Sequence, residues 1–145
     1  MVKRLHHIGV AVDDFEGAVA FYRQLLGQEV IKEATLPQQG LRLAAIPCGP
    51  DGVWLEVVSP VSPDSALAGF LAKRGEGLHH IALEVEDIER VLPHYEAIGC
   101  EPLARRPEPG LGGLRTLFFH PRSTRRVLVE LVDRVGSSGQ CFTEG

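Results

Sequence analysis

Hydrophobic and polar positions alternate along residues 5–12, near the start of the chain. Alternation with a period of two predicts a β-strand whose two faces differ in character. One face is apolar and the other carries small residues and a histidine: Ile8, Val10 and Val12 against His7, Gly9 and Ala11. The strand therefore offers one face to a hydrophobic core and places a histidine on the other.

An amphipathic helix is predicted directly after this strand. Asp13 or Asp14 can cap its first turn, and Gly27 follows its last apolar residue, where helices commonly end. Its apolar stripe recurs at helical spacing: Phe15, Ala18, Val19, Tyr22, Leu25 and Leu26. Three strand-like runs are predicted beyond the helix, near 29–33, 41–47 and 53–58.

The second half of the chain repeats the first. Residues 5–8 (LHHI) recur as residues 78–81 (LHHI), and residues 54–58 (WLEVV) correspond to residues 128–132 (LVELV). Several matches in the same order indicate a duplicated supersecondary unit.

The second module is predicted with the same plan as the first. It contains a strand at 78–85, a helix from Asp87 to Ile98 ended by Gly99, and strands near 100–105, 114–120 and 127–133. Pro93 falls inside this helix, where it predicts a kink or a later helix start.

These patterns predict an α+β fold with two tandem βαβββ modules that form a mixed, curved eight-stranded sheet around a metal site. The single domain is expected to span residues 1–133. It consists of module one (1–60), a linker helix (61–76) closed by Gly75, and module two (77–133). Residues 134–145 lack periodicity and are predicted to be a flexible tail.

Two carboxylates lie where the pattern predicts buried strands. Glu56 is centred in VWLEVV and Glu130 in VLVELV, at equivalent positions of the repeat. A buried carboxylate must be paired, protonated or bound to a cation. His7 and His80 are also equivalent to each other, and each lies on the small-residue face of its strand. One metal centre built from both modules would account for all four residues.

Two imidazoles and two carboxylates form a mixed nitrogen and oxygen ligand set for a borderline divalent ion, such as cobalt, manganese, nickel, zinc or iron. Its two negative charges neutralise a +2 ion. Four protein ligands on a six-coordinate ion leave positions for substrate oxygens. The other histidines are predicted to be structural or exposed rather than ligands: His6, His79, His94 and His120.

Composition and charge limit the classes of partner that the protein is expected to bind. The formal charge of −4 argues against nucleic acid, and no apolar run approaches the length of a membrane span. The N-terminal residues do not resemble a signal peptide, so a cytoplasmic protein is expected. Cys48, Cys100 and Cys141 form neither a CxxC pair nor a disulfide framework and are expected to be unreactive thiols.

The chain resembles the vicinal oxygen chelate superfamily, also called glyoxalase/bleomycin-resistance-like, and within it the methylmalonyl-CoA epimerases. The resemblance covers residues 5–133 and is carried by five specific segments: 62–65 (SPDS), 74–81 (RGEGLHHI), 107–110 (PEPG), 120–124 (HPRST) and 127–131 (VLVEL). It implies a metal-dependent epimerase that interconverts (R)- and (S)-methylmalonyl-CoA by proton abstraction at C2, through a stabilised enolate. It also implies Co²⁺ as the first choice of metal, before Mn²⁺, Ni²⁺ or Zn²⁺, an acyl-CoA substrate, and a homodimer. Glu130 is the expected base.

Two positions depart from the family pattern. Some members place a glutamate after a Gln-Gly pair, whereas the matching position here is Leu43, which cannot carry a proton. Either Glu56 or a bound water serves as the second acid/base, or the reaction is not this epimerisation. A Gly-Gly pair usual before the last strand is replaced by Arg125 and Arg126, which either meet the phosphates of CoA or are solvated turn residues.

Three other functions compete with the epimerase interpretation. A glyoxalase I-type lactoylglutathione lyase uses the same four ligand types, although it favours a different linker. A metal-free small-molecule binding module would share the fold but generally lacks the complete ligand set. Ring-cleaving dioxygenases typically use three ligands and longer chains.

Overall fold

The computed structural model describes residues 1–137. Residues 138–145, which include Cys141 and most of the predicted tail, lie outside the described residues. Arg134, the first residue of that predicted tail, donates a hydrogen bond of 3.0 Å to Glu84.

Residues 1–137 contain eight strands and three α-helices in the order that the repeat predicts. The first repeat contains β1 (Val2–Ala11), α1 (Phe15–Leu26), β2 (Lys32–Leu36), β3 (Leu41–Pro47) and β4 (Trp54–Pro60), followed by the linker helix α2 (Ala66–Arg74). The second contains β5 (Gly77–Val85), α3 (Ile88–Ala97), β6 (Glu108–Pro109), β7 (Arg115–Phe118) and β8 (Val129–Asp133). Each repeat has the element order βαβββ, so the predicted α+β class with two βαβββ modules is confirmed.

The chain divides into two compact units. The first unit comprises residues 7–79, and the second comprises residues 1–6 together with the chain from His80 onward. In the first unit, β1 pairs with β4 in parallel, and β3 pairs with both β4 and β2 in antiparallel fashion. In the second unit, β5 pairs with β8 in parallel, and β7 pairs with both β8 and β6 in antiparallel fashion. The two units therefore repeat one pairing scheme.

Helix ends follow the capping residues that the sequence offers. Asp14 accepts a hydrogen bond from the backbone of Gly17 and begins α1, and Gly27 ends it in the left-handed conformation with φ of 64°. Ser65 caps α2, and Asp87 caps α3 by accepting from two backbone N–H groups. Four polar or glycine positions thus set the helix boundaries, as expected from the orphan donors and acceptors at helix ends. The linker helix, at Ala66–Arg74, is shorter than the predicted 61–76, because Ser65 begins it.

Two strands differ from their prediction. The second strand runs over Lys32–Leu36 rather than 29–33, because its register with β3 is determined by the hairpin turn at 37–40. The run 100–105 is not a strand. It makes one isolated bridge, between Pro102 and Phe119, because proline has no N–H to donate to a longer ladder.

Each unit has its own hydrophobic core beneath its helix. The core of the first unit combines one face of β1, β3 and β4 with Phe15 of α1: Val10, Val12, Phe15, Ala44, Ile46, Leu55 and Val57. The core of the second unit is built in the same way around α3: Val85, Ile88, Leu117, Phe119 and Leu131. In each unit, one face of the strands packs against the helix, and the opposite face can carry the functional side chains.

Two buried carboxylates stabilise the second unit. Asp133 is fully buried. It accepts a hydrogen bond of 2.7 Å from the backbone N–H of Ile88 and two hydrogen bonds from Arg115. Glu84 accepts hydrogen bonds from Arg4 at 2.9 Å and Arg134 at 3.0 Å. Charge-assisted bonds of this kind offset the desolvation of a buried carboxylate.

Among residues 1–137, no helix is both long enough and apolar enough to cross a membrane.

Candidate metal centre

The register between β1 and β4 places a histidine and a glutamate on the same face of the first unit. His7 is opposite Trp54, and Gly9 is opposite Glu56. Residues that pair directly, and residues two apart on one strand, share a face of the sheet. His7 and Glu56 therefore lie on the face that does not contact α1, as the alternation along residues 5–12 predicts.

His7 and Glu56 form a buried pair within the first unit. Nε2 of His7 is 3.5 Å from Oε2 of Glu56, and the two residues are only 3% and 6% exposed. Gly9, which has no side chain, is the residue opposite Glu56. The local sequence thus places an imidazole and a carboxylate side by side away from solvent.

The second unit contains an equivalent pair. Ala82, two residues after His80, is opposite Glu130 in the parallel pairing of β5 with β8. Nε2 of His80 is 3.4 Å from Oε1 of Glu130, and both residues are 6% exposed. The duplication that the sequence shows is therefore reproduced as two similar histidine–glutamate pairs.

Each histidine also contacts an aromatic ring that the sequence analysis did not identify. Trp54 stacks on His7 with ring centroids 5.7 Å apart and donates through Nε1 to Glu56 over 3.3 Å. Phe118 contacts His80 edge-to-face at 5.6 Å. The signal for Trp54 was available, because a residue two positions before Glu56 on a strand shares its face.

The donor set fits a borderline divalent ion. Two ligands about 2.1 Å from one ion are separated by about 3.0 Å at a right angle and about 3.4 Å at a tetrahedral angle. The nitrogen–oxygen distances of 3.5 Å and 3.4 Å within the two pairs are close to that range. Each pair by itself offers one imidazole and one carboxylate that could hold a metal ion. The structure thus supports a possible metal site, without indicating which metal binds.

Leu43 lies on the same face of the first unit as Glu56. It is opposite Val58 on β4 and is 3% exposed, whereas Ala45, two residues along β3, is opposite Glu56. An aliphatic side chain at this position cannot transfer a proton. The replacement of the glutamate of some family members by Leu43 therefore affects the same face of the sheet as Glu56.

Two of the other histidines, His120 and His94, and two of the cysteines, Cys48 and Cys100, lie away from these pairs in sequence and have their own surroundings. His120 accepts a hydrogen bond from the backbone of Arg122, and His94 is exposed. Partial desolvation raises the pKa of both Cys48, which is exposed, and Cys100, which is half-buried, and this keeps the thiols protonated.

Comparisons with known proteins agree with this arrangement. The family model described as the glyoxalase/bleomycin resistance protein/dioxygenase superfamily matches residues 6–118. An ethylmalonyl-CoA/methylmalonyl-CoA epimerase of Cereibacter sphaeroides is 37% identical over 133 residues, which are 90% of this chain and 98% of that protein. The chain belongs to the methylmalonyl-CoA epimerase family. Another family member, the mitochondrial methylmalonyl-CoA epimerase of Homo sapiens, is 35% identical over 88% of this chain and 72% of its own length.

Solved structures of the epimerase family share the fold. A variant of the Streptomyces coelicolor methylmalonyl-CoA epimerase, in complex with 2-nitronate-propionyl-CoA, has a TM-score of 0.87 at 34% identity and covers 92% of this chain and 95% of that one. The Mycobacterium tuberculosis enzyme has a TM-score of 0.86 at 30% identity, covering 91% of this chain and 88% of that one. Similarity to a lactoylglutathione lyase of Arabidopsis thaliana is distant, at 21% identity over 81% of this chain and 40% of that protein.

Proposed function

We propose that this protein is a metal-dependent epimerase that interconverts (R)- and (S)-methylmalonyl-CoA. The observation that carries the proposal is the buried histidine–glutamate pair that occurs once in each unit of a chain from this family. The family similarity supports the acyl-CoA substrate, since related structures contain a CoA ester. The pairs supply the ligand chemistry that removal of a proton beside a thioester requires.

In this proposal, His7, Glu56, His80 and Glu130 together bind one divalent ion. The two carboxylates neutralise its charge, so that the buried centre remains close to neutral. Co²⁺ is the preferred candidate, with Mn²⁺, Ni²⁺ and Zn²⁺ as alternatives, because a mixed imidazole and carboxylate set suits all four.

The chemical difficulty of the reaction is the low acidity of the C2 proton. Each unit of pKa mismatch between this C–H group and a base costs about 1.4 kcal/mol, so a mismatch of about ten units requires about 14 kcal/mol of stabilisation. The bound ion would supply Lewis acidity toward the developing negative charge. The surrounding buried strands exclude water, which strengthens the electrostatic interactions at the centre.

Glu130 is the proposed base. Its carboxylate accepts the C2 proton while the C–H electron pair moves into the thioester as an enolate, and a proton returned to the opposite face of C2 completes the inversion. Leu43 cannot provide that second proton, so we assign this step to Glu56 or to a bound water. No oxidant or additional co-substrate is needed, because one proton is removed and one is returned.

Proton–deuterium exchange at C2 of methylmalonyl-CoA in heavy water tests the proposal directly. We expect exchange that depends on added Co²⁺, and a loss of about 100-fold or more in Glu130→Gln. Glu108→Gln is a matched control, because Glu108 is an exposed carboxylate of β6 in the same unit. The metal dissociation constant of Glu130→Gln is measured in parallel, so that loss of the base is separated from loss of a ligand.

The outcome that contradicts the proposal is absence of exchange in protein that binds the metal. Conversion of methylglyoxal plus glutathione by the same preparation would instead support the lactoylglutathione lyase alternative. Purified protein with no affinity for any of the four metals would support the binding-module alternative.

Two further parts of the proposal are a homodimer, which rests on family resemblance alone, and a cytoplasmic location. Light scattering coupled to size-exclusion chromatography tests the first of these, and a mass of about 32 kDa, twice the 15.8 kDa of one chain, is the expected result.

A further inference from the structure

Positive charge is concentrated in one segment of an otherwise acidic chain. Residues 101–126 contain six arginines and two glutamates, whereas the whole chain has a formal charge of −4. An acyl-CoA carries several phosphate charges, so an acidic protein that binds it needs a local cationic surface.

Two of these arginines are neutralised by neighbouring carboxylates. Arg115 donates to Asp133 at 2.8 and 2.9 Å, and Arg122 makes a bidentate pair with Glu101 at 2.9 Å for both bonds. These guanidinium groups are already committed to structural contacts.

The four other arginines of the segment are exposed: Arg105, Arg106, Arg125 and Arg126. Within residues 1–137, no ion pair or side-chain hydrogen bond involves any of them. Their charges are therefore available to a ligand.

Arg125 and Arg126 differ from the other exposed pair in their backbone. Their φ angles are 59° and 70°, and they are the two non-glycine residues with positive φ among the described residues. A side chain is disfavoured in this conformation, whereas glycine adopts it without strain. Two large cationic side chains are thus present at a position where glycine would be easier to accommodate.

The turn that contains these arginines is held by hydrogen bonds. The backbone N–H of Arg126 donates to the carbonyl of Pro121 at 2.8 Å, and Oγ1 of Thr124 donates to the carbonyl of Val127 at 2.6 Å. Binding groups on an ordered turn lose less conformational entropy when a ligand arrives.

We propose that Arg125 and Arg126 bind the phosphate groups of the CoA moiety. The identity of this ligand rests on the proposed function. Arg126 lies four residues before Glu130, so the two backbone positions are at most about 13 Å apart, the span of four fully extended residues. The pantetheine arm of CoA likewise separates the thioester from the phosphates. Planar guanidinium groups match phosphate oxygens in a bidentate geometry.

The test compares two double variants with the same change of charge. In Arg125→Gly/Arg126→Gly, we expect KM for methylmalonyl-CoA to rise about tenfold, with kcat unchanged, because uniform binding is lost and the turn keeps its conformation. The matched control is Arg105→Gln/Arg106→Gln, in which KM should change by less than about twofold. For methylmalonyl-pantetheine, which lacks the diphosphate and the nucleotide, KM should be the same in all three proteins.

An equal rise in KM for both substrates, or an equal rise in both variants, would overturn the proposal, because the effect would not be specific to phosphate or to this turn. Unchanged KM for methylmalonyl-CoA in Arg125→Gly/Arg126→Gly would also overturn it and would leave the epimerase proposal intact. If wild-type protein catalyses no exchange, the epimerase proposal fails separately. Calorimetric titration with CoA alone then tests whether Arg125 and Arg126 bind its phosphates. Weaker binding by Arg125→Gly/Arg126→Gly than by the wild type supports the arginine site, and equal binding overturns it.

Discussion

Trp54 gives Glu56 a contact that the corresponding position of the second repeat cannot provide. Its indole N–H donates to the Glu56 carboxylate, whereas the equivalent residue before Glu130 is Leu128, which has no side-chain donor. Hydrogen bonds to a metal-binding carboxylate orient it and adjust its donor strength. The two glutamates are therefore chemically different despite the repeat, in keeping with the different roles proposed for them.

Substitution of Trp54 by phenylalanine tests this contact. Trp54→Phe keeps a ring beside His7 but removes the N–H group, so we expect the affinity for Co²⁺ to fall by about tenfold. Isothermal titration calorimetry measures the change, and Tyr95→Phe, which removes a polar group from an aromatic ring of α3, is the control. An unchanged dissociation constant in Trp54→Phe would show that the contact does not support metal binding.

Glu84 has a pKa that is held below its ordinary value of 4.5. Burial alone would raise the pKa of this carboxyl, but hydrogen bonds and charge from Arg134 and Arg4 outweigh burial. Because the folded pKa is below the unfolded one, Glu84 contributes stability above pH 4.5, and this contribution is lost as the pH falls through the folded value.

Glu84→Gln should consequently unfold more easily at pH 7, by about 2 kcal/mol, and lose less stability on acidification. Urea denaturation of wild type and variant between pH 7 and pH 3 measures both effects. Glu86→Gln is the control, since its side chain is 73% exposed. Parallel pH profiles for wild type and Glu84→Gln would contradict the assignment.

At the scale of elements, α3 contains a proline in its interior. The helix begins at Ile88, with Asp87 as its cap, and continues through Pro93 to Ala97. The later helix start considered from the sequence is therefore wrong. Capping at Asp87 and the burial of Ile88 hold the first turn in place, although Pro93 cannot donate a backbone hydrogen bond.

Pro93→Ala should stabilise the protein by about 1 to 3 kcal/mol, because it restores an intrahelical hydrogen bond on an exposed surface. Thermal unfolding followed by circular dichroism measures the gain. Ala97→Gly, at the exposed end of the same helix, is the control and should have an effect smaller than about 1 kcal/mol in the opposite direction. A lower Tm for Pro93→Ala would mean that the proline is accommodated without cost.

At the scale of the whole molecule, the proposed metal site takes two ligands from each repeat. An ion that binds only the folded state at about 100 times its dissociation constant should add about 2.7 kcal/mol to the free energy of unfolding. The expected rise in Tm is about 5 to 10 °C. Differential scanning calorimetry with Co²⁺ measures it, and Mg²⁺, which prefers oxygen ligands, is the control ion.

The double variant His7→Asn/His80→Asn removes one ligand from each unit and should lose the stabilisation by Co²⁺. A rise in Tm equal to that of the wild type would show that the ion binds elsewhere, and would contradict the assignment of all four ligands.

Most of the secondary structure can be predicted from the sequence, because the residues that determine it are close together along the chain. Alternation along residues 5–12, the capping aspartates and the glycine after α1 act within a few residues of one another, and the duplication extends them to the second half. The burial of Glu56 and Glu130 was likewise predicted, since a carboxylate inside an aliphatic strand has neighbours that the sequence itself specifies.

Tertiary structure decided the features that depend on pairing between distant segments. The register of β2, the single bridge at Pro102 and the approach of Trp54 to His7 all require partners that lie on other strands or across a loop. A strand pattern repeats every two residues, so it identifies a face but not the partner opposite. Only the folded chain determines which side chains meet on that face.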